Sequence, residues 1–107
     1  QKPPMNIKKI NDRIQFFNGF LLADTTKMEL NDKATYLEEL SAYQAECNTM
    51  LIETKNAILL SKALPKEEQI DLKVFSNTVT GCYTNFSTRI KAIISSMAAD
   101  KVLIQMK

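Results

Sequence analysis

Two cysteines carry the most reactive chemistry of this 107-residue chain: Cys47, in "AYQAECNTMLIE", and Cys82, in "NTVTGCYTNF". They lack the C-x-x-C spacing of a thioredoxin-like redox pair. Histidine is absent, which removes the usual general base, the usual activator of a nucleophile and the commonest zinc ligand. There is no glycine-rich phosphate loop. Carboxylates stand side by side at Glu38-Glu39 and Glu67-Glu68, but neighbours on a helix point about 100° apart and cannot share one substrate atom. The expectation is a non-catalytic protein with no cofactor and no metal. A formal net charge of +2, with cations scattered among anions, supplies no basic stripe for a phosphate backbone, so nucleic acid is not an expected partner.

What remains is chemistry of recognition. Lys9, Arg13, Phe16 and Phe20 recur at three-four spacing on the first amphipathic segment, and arginine with aromatic residues is the composition in which interface hot spots are enriched. These four are the candidate partner-binding residues, the partner being another protein. In the competing arrangement the first helix lies in a groove between two others and both phenylalanines are core. Asn85, in "NFS", matches the acceptor pattern for N-glycosylation beside an apolar Phe86. Tyr36, Tyr43 and Tyr83 suit the core edge, with the hydroxyl reaching water.

The elements that must position these residues are helices. Only two glycines and three prolines leave little material for the turns of an all-β fold. Ile7, Ile10, Ile14, Phe17 and Leu21 follow a helical face after Pro3-Pro4, with Asn6 as the N-cap. The Asn18-Gly19 pair inside it is a hairpin signal when taken alone, yet the apolar rhythm runs through it without alternation. A helix is expected there, with Gly19 as the place for a kink.

Thr26 with Glu29 forms a capping-box pattern, and Asn31 is a second start. A long second helix follows on Leu30, Ala34, Leu37, Leu40, Cys47, Leu51, Thr54 and Ile58, widened by Tyr36, Tyr43, Met50 and Ala57. It is expected to stop at Leu64, because the residue before a proline is pushed out of the helical region. Pro65 then opens a third helix carrying Leu72, Phe75, Val79, Cys82, Phe86, Ile90, Ile93 and Met97. The apolar pattern through Val102, Leu103, Ile104 and Met106 either continues it or makes a short fourth helix.

Folding the second and third helices together at Leu64-Pro65 makes the cysteines meet, since Cys47 lies seventeen residues before Leu64 and Cys82 seventeen after Pro65. Both sit on the apolar stripe of their helix and point into the seam between antiparallel neighbours, where Cα atoms can come within the roughly 4.4–6.8 Å that a disulfide needs. The alternative is a pair of reduced, buried thiols packed as small apolar residues. A Cys47–Cys82 bridge implies an oxidising compartment, and a sequence opening at Gln1 without an initiator methionine fits removal of an upstream segment, by a signal peptidase or by another cut.

The expected protein is therefore a single all-α domain over 1–107: an antiparallel up-down bundle of three helices, with or without a short fourth, whose long hairpin of helices two and three is pinned by a disulfide. Its expected role is that of a secreted or periplasmic protein-interaction module such as an inhibitor, an immunity-type protein or an assembly factor. The alternative is a small carrier in which methionine and phenylalanine line a cavity for an apolar ligand such as a lipid. A cytosolic adaptor is a third option if the thiols stay reduced. No apolar run reaches the ~18 residues that read as a membrane span.

Overall fold

The computed structural model describes residues 7–106, the side chains of residues 104 and 106 excepted. The N-cap expected at Asn6 and the apolar side chains of Ile104 and Met106 lie outside the described residues. Three α-helices and one short 3-10 turn account for nearly all of the rest: α1 (Ile7–Leu21), α2 (Leu30–Leu59), the turn Ser61–Ala63, and α3 (Lys66–Met106). No strand occurs among the described residues.

Helices α2 and α3 pack closely as an antiparallel hairpin, because residues converge in mirror order: Gln44 Nε2 donates to Ser87 Oγ at 2.6 Å, and Cys47 faces Cys82. Helix α1 runs back along α2, with Arg13 beside Glu46, Phe16 beside Tyr43 and Phe20 beside Tyr36. The core is one cluster threaded through all three helices, with Phe17, Leu40, Val79, Phe86 and Ile93 at its centre. Tyr36 and Met50, which flank the apolar stripe of α2, are buried as well.

The molecule is a rod. Its principal extents are 65 × 20 × 17 Å and its radius of gyration is 17.8 Å, against about 13 Å for a compact domain of this length. At 1.5 Å per residue the 41 residues of α3 alone span about 61 Å and set the long dimension. The 15 residues of α1 span about 22 Å and cover one part of the hairpin.

The helix ends differ from the sequence expectation in two places, and a third alternative is resolved. The capping box that opens α2 pairs Glu29 with Asp32, the Glu29 N–H donating to Asp32 Oδ2 at 3.3 Å. Thr26 instead donates its N–H and hydroxyl to Asp24 Oδ1, at 3.0 and 2.6 Å, and so belongs to the preceding turn. At its far end α2 stops at Leu59, five residues short of Leu64. Ser61 tightens the chain into the 3-10 turn, its hydroxyl donating to Ile58 O at 2.6 Å and the Leu64 N–H closing onto Ser61 O at 2.8 Å. Leu64 itself is extended, φ −85° and ψ 156°, as Pro65 demands. Finally, α3 runs unbroken to Met106, and there is no separate fourth helix.

Asn18 and Gly19 are helical, as the rhythm around them requires. Among the described residues no glycine has positive φ, which rules out the type I′ turn that Asn-Gly would otherwise favour. Two side chains from the hairpin fasten the end of α1. Tyr36 donates its hydroxyl to Phe20 O at 2.7 Å, and Arg89 donates to Ala23 O and, through Nε, to the Tyr36 hydroxyl at 3.3 Å. Phe20 O lies in the last turn of α1, where it also accepts the Ala23 N–H at 3.3 Å, and Ala23 O lies two residues past the helix end, where a cation suits the dipole.

Candidate functional site

The four residues singled out on α1 do not share one environment. Lys9 is exposed, Arg13 and Phe20 are partly buried, and Phe16 keeps 46% of its surface in solvent. The difference follows from the helix. Ile10, Ile14 and Phe17 point into the hairpin, and Phe16, one residue from Phe17, is turned about 100° away from it. Phe20 lies between the two directions and packs at 4.9 Å centroid distance on Tyr36 and 5.1 Å on Tyr43.

Arginine 13 organises the patch. Its Nε donates to Glu46 Oε2 at 2.7 Å and its Nη2 to Glu46 Oε1 at 2.8 Å, a two-pronged pairing that fixes the guanidinium plane. The same group lies over three rings, 5.0 Å from the centroid of Phe16, 4.8 Å from Phe17 and 5.5 Å from Tyr43. Each is within the ~6 Å over which a ring quadrupole attracts a cation. The Glu46 carboxylate raises the Arg13 pKa further above its ordinary value. Because both partners keep 38% of their side-chain surface in solvent, the pair adds little to stability. Its effect is positional: Phe16 is backed by Arg13, by Phe20 stacked at 6.2 Å and by Tyr43 edge-on at 5.6 Å.

Tyr43 and Glu46 come from α2 and complete a surface that α1 alone does not make. Glu46 was not distinguishable in sequence from any other acidic residue of α2. The signal that could have found it is the antiparallel pairing of α1 with α2, which sets Arg13 against Glu46 once Phe16 faces Tyr43.

Cys47 and Cys82 are brought together and buried in the α2–α3 seam. Both are thiols, with Sγ atoms 3.8 Å apart and Cys47 donating to Cys82; the bridge expected from the sequence is not formed. The Cys47 thiol is pushed well up, first because its proton is held by Cys82 and then by burial, while accepting that hydrogen bond lowers Cys82.

Asn85 is exposed on α3 and lines an open cleft of about 450 Å³ with Asn18, Leu21, Leu22, Thr88 and Arg89. This cleft lies between the end of α1 and α3. Among the described residues no cluster of acidic residues and cysteines could hold a metal ion, and no helix is long and apolar enough to cross a membrane.

Lys33 is a feature the apolar stripe did not reveal. It is 7% exposed and donates to Ser96 Oγ at 2.6 Å and to Asp100 Oδ2 at 2.5 Å, tying the start of α2 to the last part of α3. No protein-family model matches this chain, and neither a curated protein nor a solved structure matches it.

Proposed function

We propose that this chain is a non-catalytic protein-interaction module of an extracytoplasmic compartment, secreted or periplasmic, that docks another protein on the Lys9, Arg13, Phe16 and Phe20 face of α1. The observation that carries the reading is Phe16. A half-exposed phenylalanine is held in place by a guanidinium, two rings and a carboxylate that orients the guanidinium. An aromatic side chain already ordered in the free protein loses little rotamer freedom on binding, which lowers the cost of association. Tyr43 and Glu46 extend the surface and supply a hydroxyl and a negative charge at its edge.

The compartment rests on the cysteines. Two thiols in register across a seam, 3.8 Å apart, are poised to bridge, and a bridged pair persists where the surroundings are oxidising. In this reading the mature protein carries the Cys47–Cys82 disulfide, and the patch is displayed on a pinned hairpin.

The test is capture from the secreted or envelope fraction of the native source. Wild type, Phe16→Ala, Arg13→Ala and a control, Leu22→Ala, are immobilised and the retained proteins compared. A species held by wild type and Leu22→Ala but lost with both α1 variants supports the reading. Each variant must keep the wild-type unfolding midpoint. Identical retention by all four proteins rejects the α1 face.

A further inference from the structure

We propose that Asn85 is a site of N-linked glycosylation and that the first sugars of its glycan lie in the cleft between α1 and α3, against Leu22. This modification rests on the secreted form of the reading above, narrowed to a secretory pathway that glycosylates asparagine in N-x-[ST], and does not depend on the α1 docking face. The chain has eight asparagines, and only Asn85 has a serine or threonine two residues on, Ser87, with no proline between them. Asn85 is also exposed, so a glycan attached there is compatible with the folded protein.

Two features of the surface around Asn85 point to the same occupant. The first is charge. The fifteen residues from Val74 to Thr88 include no Asp, Glu, Lys or Arg, in a chain that is 24% charged, although Asn77, Thr80, Gly81, Thr84, Asn85 and Thr88 are all exposed. The outer face of an amphipathic helix ordinarily carries charges, and here Thr80 even turns its hydroxyl back onto Ser76 O at 2.9 Å. A glycan supplies the hydration that this face lacks. The second feature is Leu22, which keeps 83% of its surface in solvent and lines the same open cleft of about 450 Å³ as Asn85. Leu21, Leu22 and Ala92 offer apolar surface to the C–H face of a sugar ring, and Asn18 and Thr88 offer an amide and a hydroxyl to its hydroxyl groups.

The fold also fixes when the transfer takes place. In the folded chain Phe86 is fully buried, Ser87 Oγ accepts from Gln44 Nε2 at 2.6 Å, and Asn85 and Ser87 point about 200° apart on the helix. In an extended chain, residues two apart lie on one face, so one enzyme site reaches both the amide and the hydroxyl. Transfer therefore precedes the folding of α3. The Asn85 Nδ2 forms a bond to the anomeric carbon of an oligosaccharide carried on a polyprenyl pyrophosphate; the bond from that carbon to the pyrophosphate oxygen breaks, the lipid pyrophosphate leaves, and the amide gives up one proton. When α3 then folds, Phe86 enters the core and the glycan stays outside. On α1, Asn18 of the cleft lies about 200° around the helix from Phe16, so the glycan leaves the Phe16 face open.

The experiment is secretion of the intact chain from a eukaryotic cell behind a signal peptide, with the intact mass of the secreted protein measured before and after peptide N-glycosidase. The expected result is one glycan per chain, released by the enzyme with conversion of Asn85 to aspartate. Asn85→Gln and Ser87→Ala should abolish it, Ser87→Thr should keep it, and Asn77→Gln, at an equally exposed asparagine of α3, should leave it unchanged. Folded protein made without the glycan should not accept one from the purified transferase and a lipid-linked oligosaccharide, whereas the unfolded chain should. In the glycosylated protein, nuclear Overhauser effects are expected between the first sugar and the Leu22 methyl groups. A secreted, folded chain with no glycan, or a glycan that survives Asn85→Gln, overturns the proposal; sugar protons that see only solvent overturn the placement against Leu22. Counting thiols in the same sample tests the compartment reading separately: free thiols beside a glycan fault the bridge, and a bridge without a glycan faults the glycan.

Discussion

Cys47 and Cys82 hold their sulfurs 3.8 Å apart in the α2–α3 seam. A disulfide bond is about 2.05 Å long, so bridging requires an approach of under ~2 Å, the scale of small side-chain adjustments. Exchange with an external disulfide, such as oxidised glutathione, closes the bond and returns two thiols of the oxidant. The loop enclosed separates residues 35 apart, which in the chain-entropy account corresponds to about 4 kcal/mol of stabilisation. We expect the oxidised protein to unfold at a clearly higher urea concentration than the reduced one, with that difference in extrapolated free energy. Coincident unfolding curves, or two titratable thiols after oxidation, would show that the seam does not close.

The reduced form carries a pH signature of its own. The Cys47 pKa is raised from the ordinary value of 9.0 by its hydrogen bond to Cys82 and by burial. Above that value an unfolded chain releases both thiol protons while the folded chain keeps the one on Cys47. The folded state then binds more protons, and stability falls as pH rises. The lowered Cys82 acts in the opposite sense, but only below the ordinary thiol value. The gap in urea midpoint between oxidised and reduced protein should therefore widen as pH rises above the ordinary thiol value of 9.0. A constant gap would mean that the thiols titrate as they do in the unfolded chain.

The mirror about Leu64-Pro65 made the Cys47–Cys82 approach legible in the sequence, because a hairpin of two helices fixes register once its corner is known. The same mirror reaches further than the apolar stripe suggested. Lys33 lies fourteen residues before Cys47 and Ser96 fourteen after Cys82, and these two are hydrogen-bonded. The stripe passes over Lys33 because a buried lysine has the same letter as a solvated one; only its partners across the seam distinguish them. The end of α2 departs from the expectation for a related reason. Proline fixes the residue before it, Leu64, but not how many residues the chain spends in a 3-10 turn before reaching it. On α1, spacing gave the stripe, whereas the exposure of Phe16 depends on how α1 is seated on the hairpin.

Lys33 and Asp100 should respond unequally to substitution. Lys33 keeps 9% of its side-chain surface in solvent and Asp100 30%, so removing the carboxylate strands a buried ammonium, whereas removing the ammonium leaves an acid that water can reach. Replacing a buried ion by an apolar chain of similar volume is often neutral, while breaking the pair is costly. Asp100→Ala is expected to cost on the order of 2 kcal/mol, reduced from the fully buried case by the exposure of the acid, and Lys33→Met under ~1 kcal/mol. Urea unfolding of the two variants in the same buffer checks the order. A larger loss from Lys33→Met would mean that Lys33 is held by its charge alone and not by the apolar contacts of its stem.

Gly19 offers a test of α1 that depends on backbone conformation alone. In the structure it is helical, and a Cβ placed on it meets nothing within 4 Å. Alanine there should stabilise the protein by ~0.5–1 kcal/mol, since glycine is the poorer helix former and loses more chain entropy on folding. Gly81, helical on α3 with the same open space around its Cβ position, should behave alike and serves as the reference. The two alternatives for the Asn18-Gly19 pair predict opposite signs. A turn of the kind Asn-Gly favours needs positive φ at both residues, where alanine is strained, and Gly19→Ala would then destabilise while Gly81→Ala still stabilised. Parallel gains in urea midpoint place Asn18 and Gly19 in a continuous helix, which is what turns Phe16 and Phe20 onto the face that meets Tyr43.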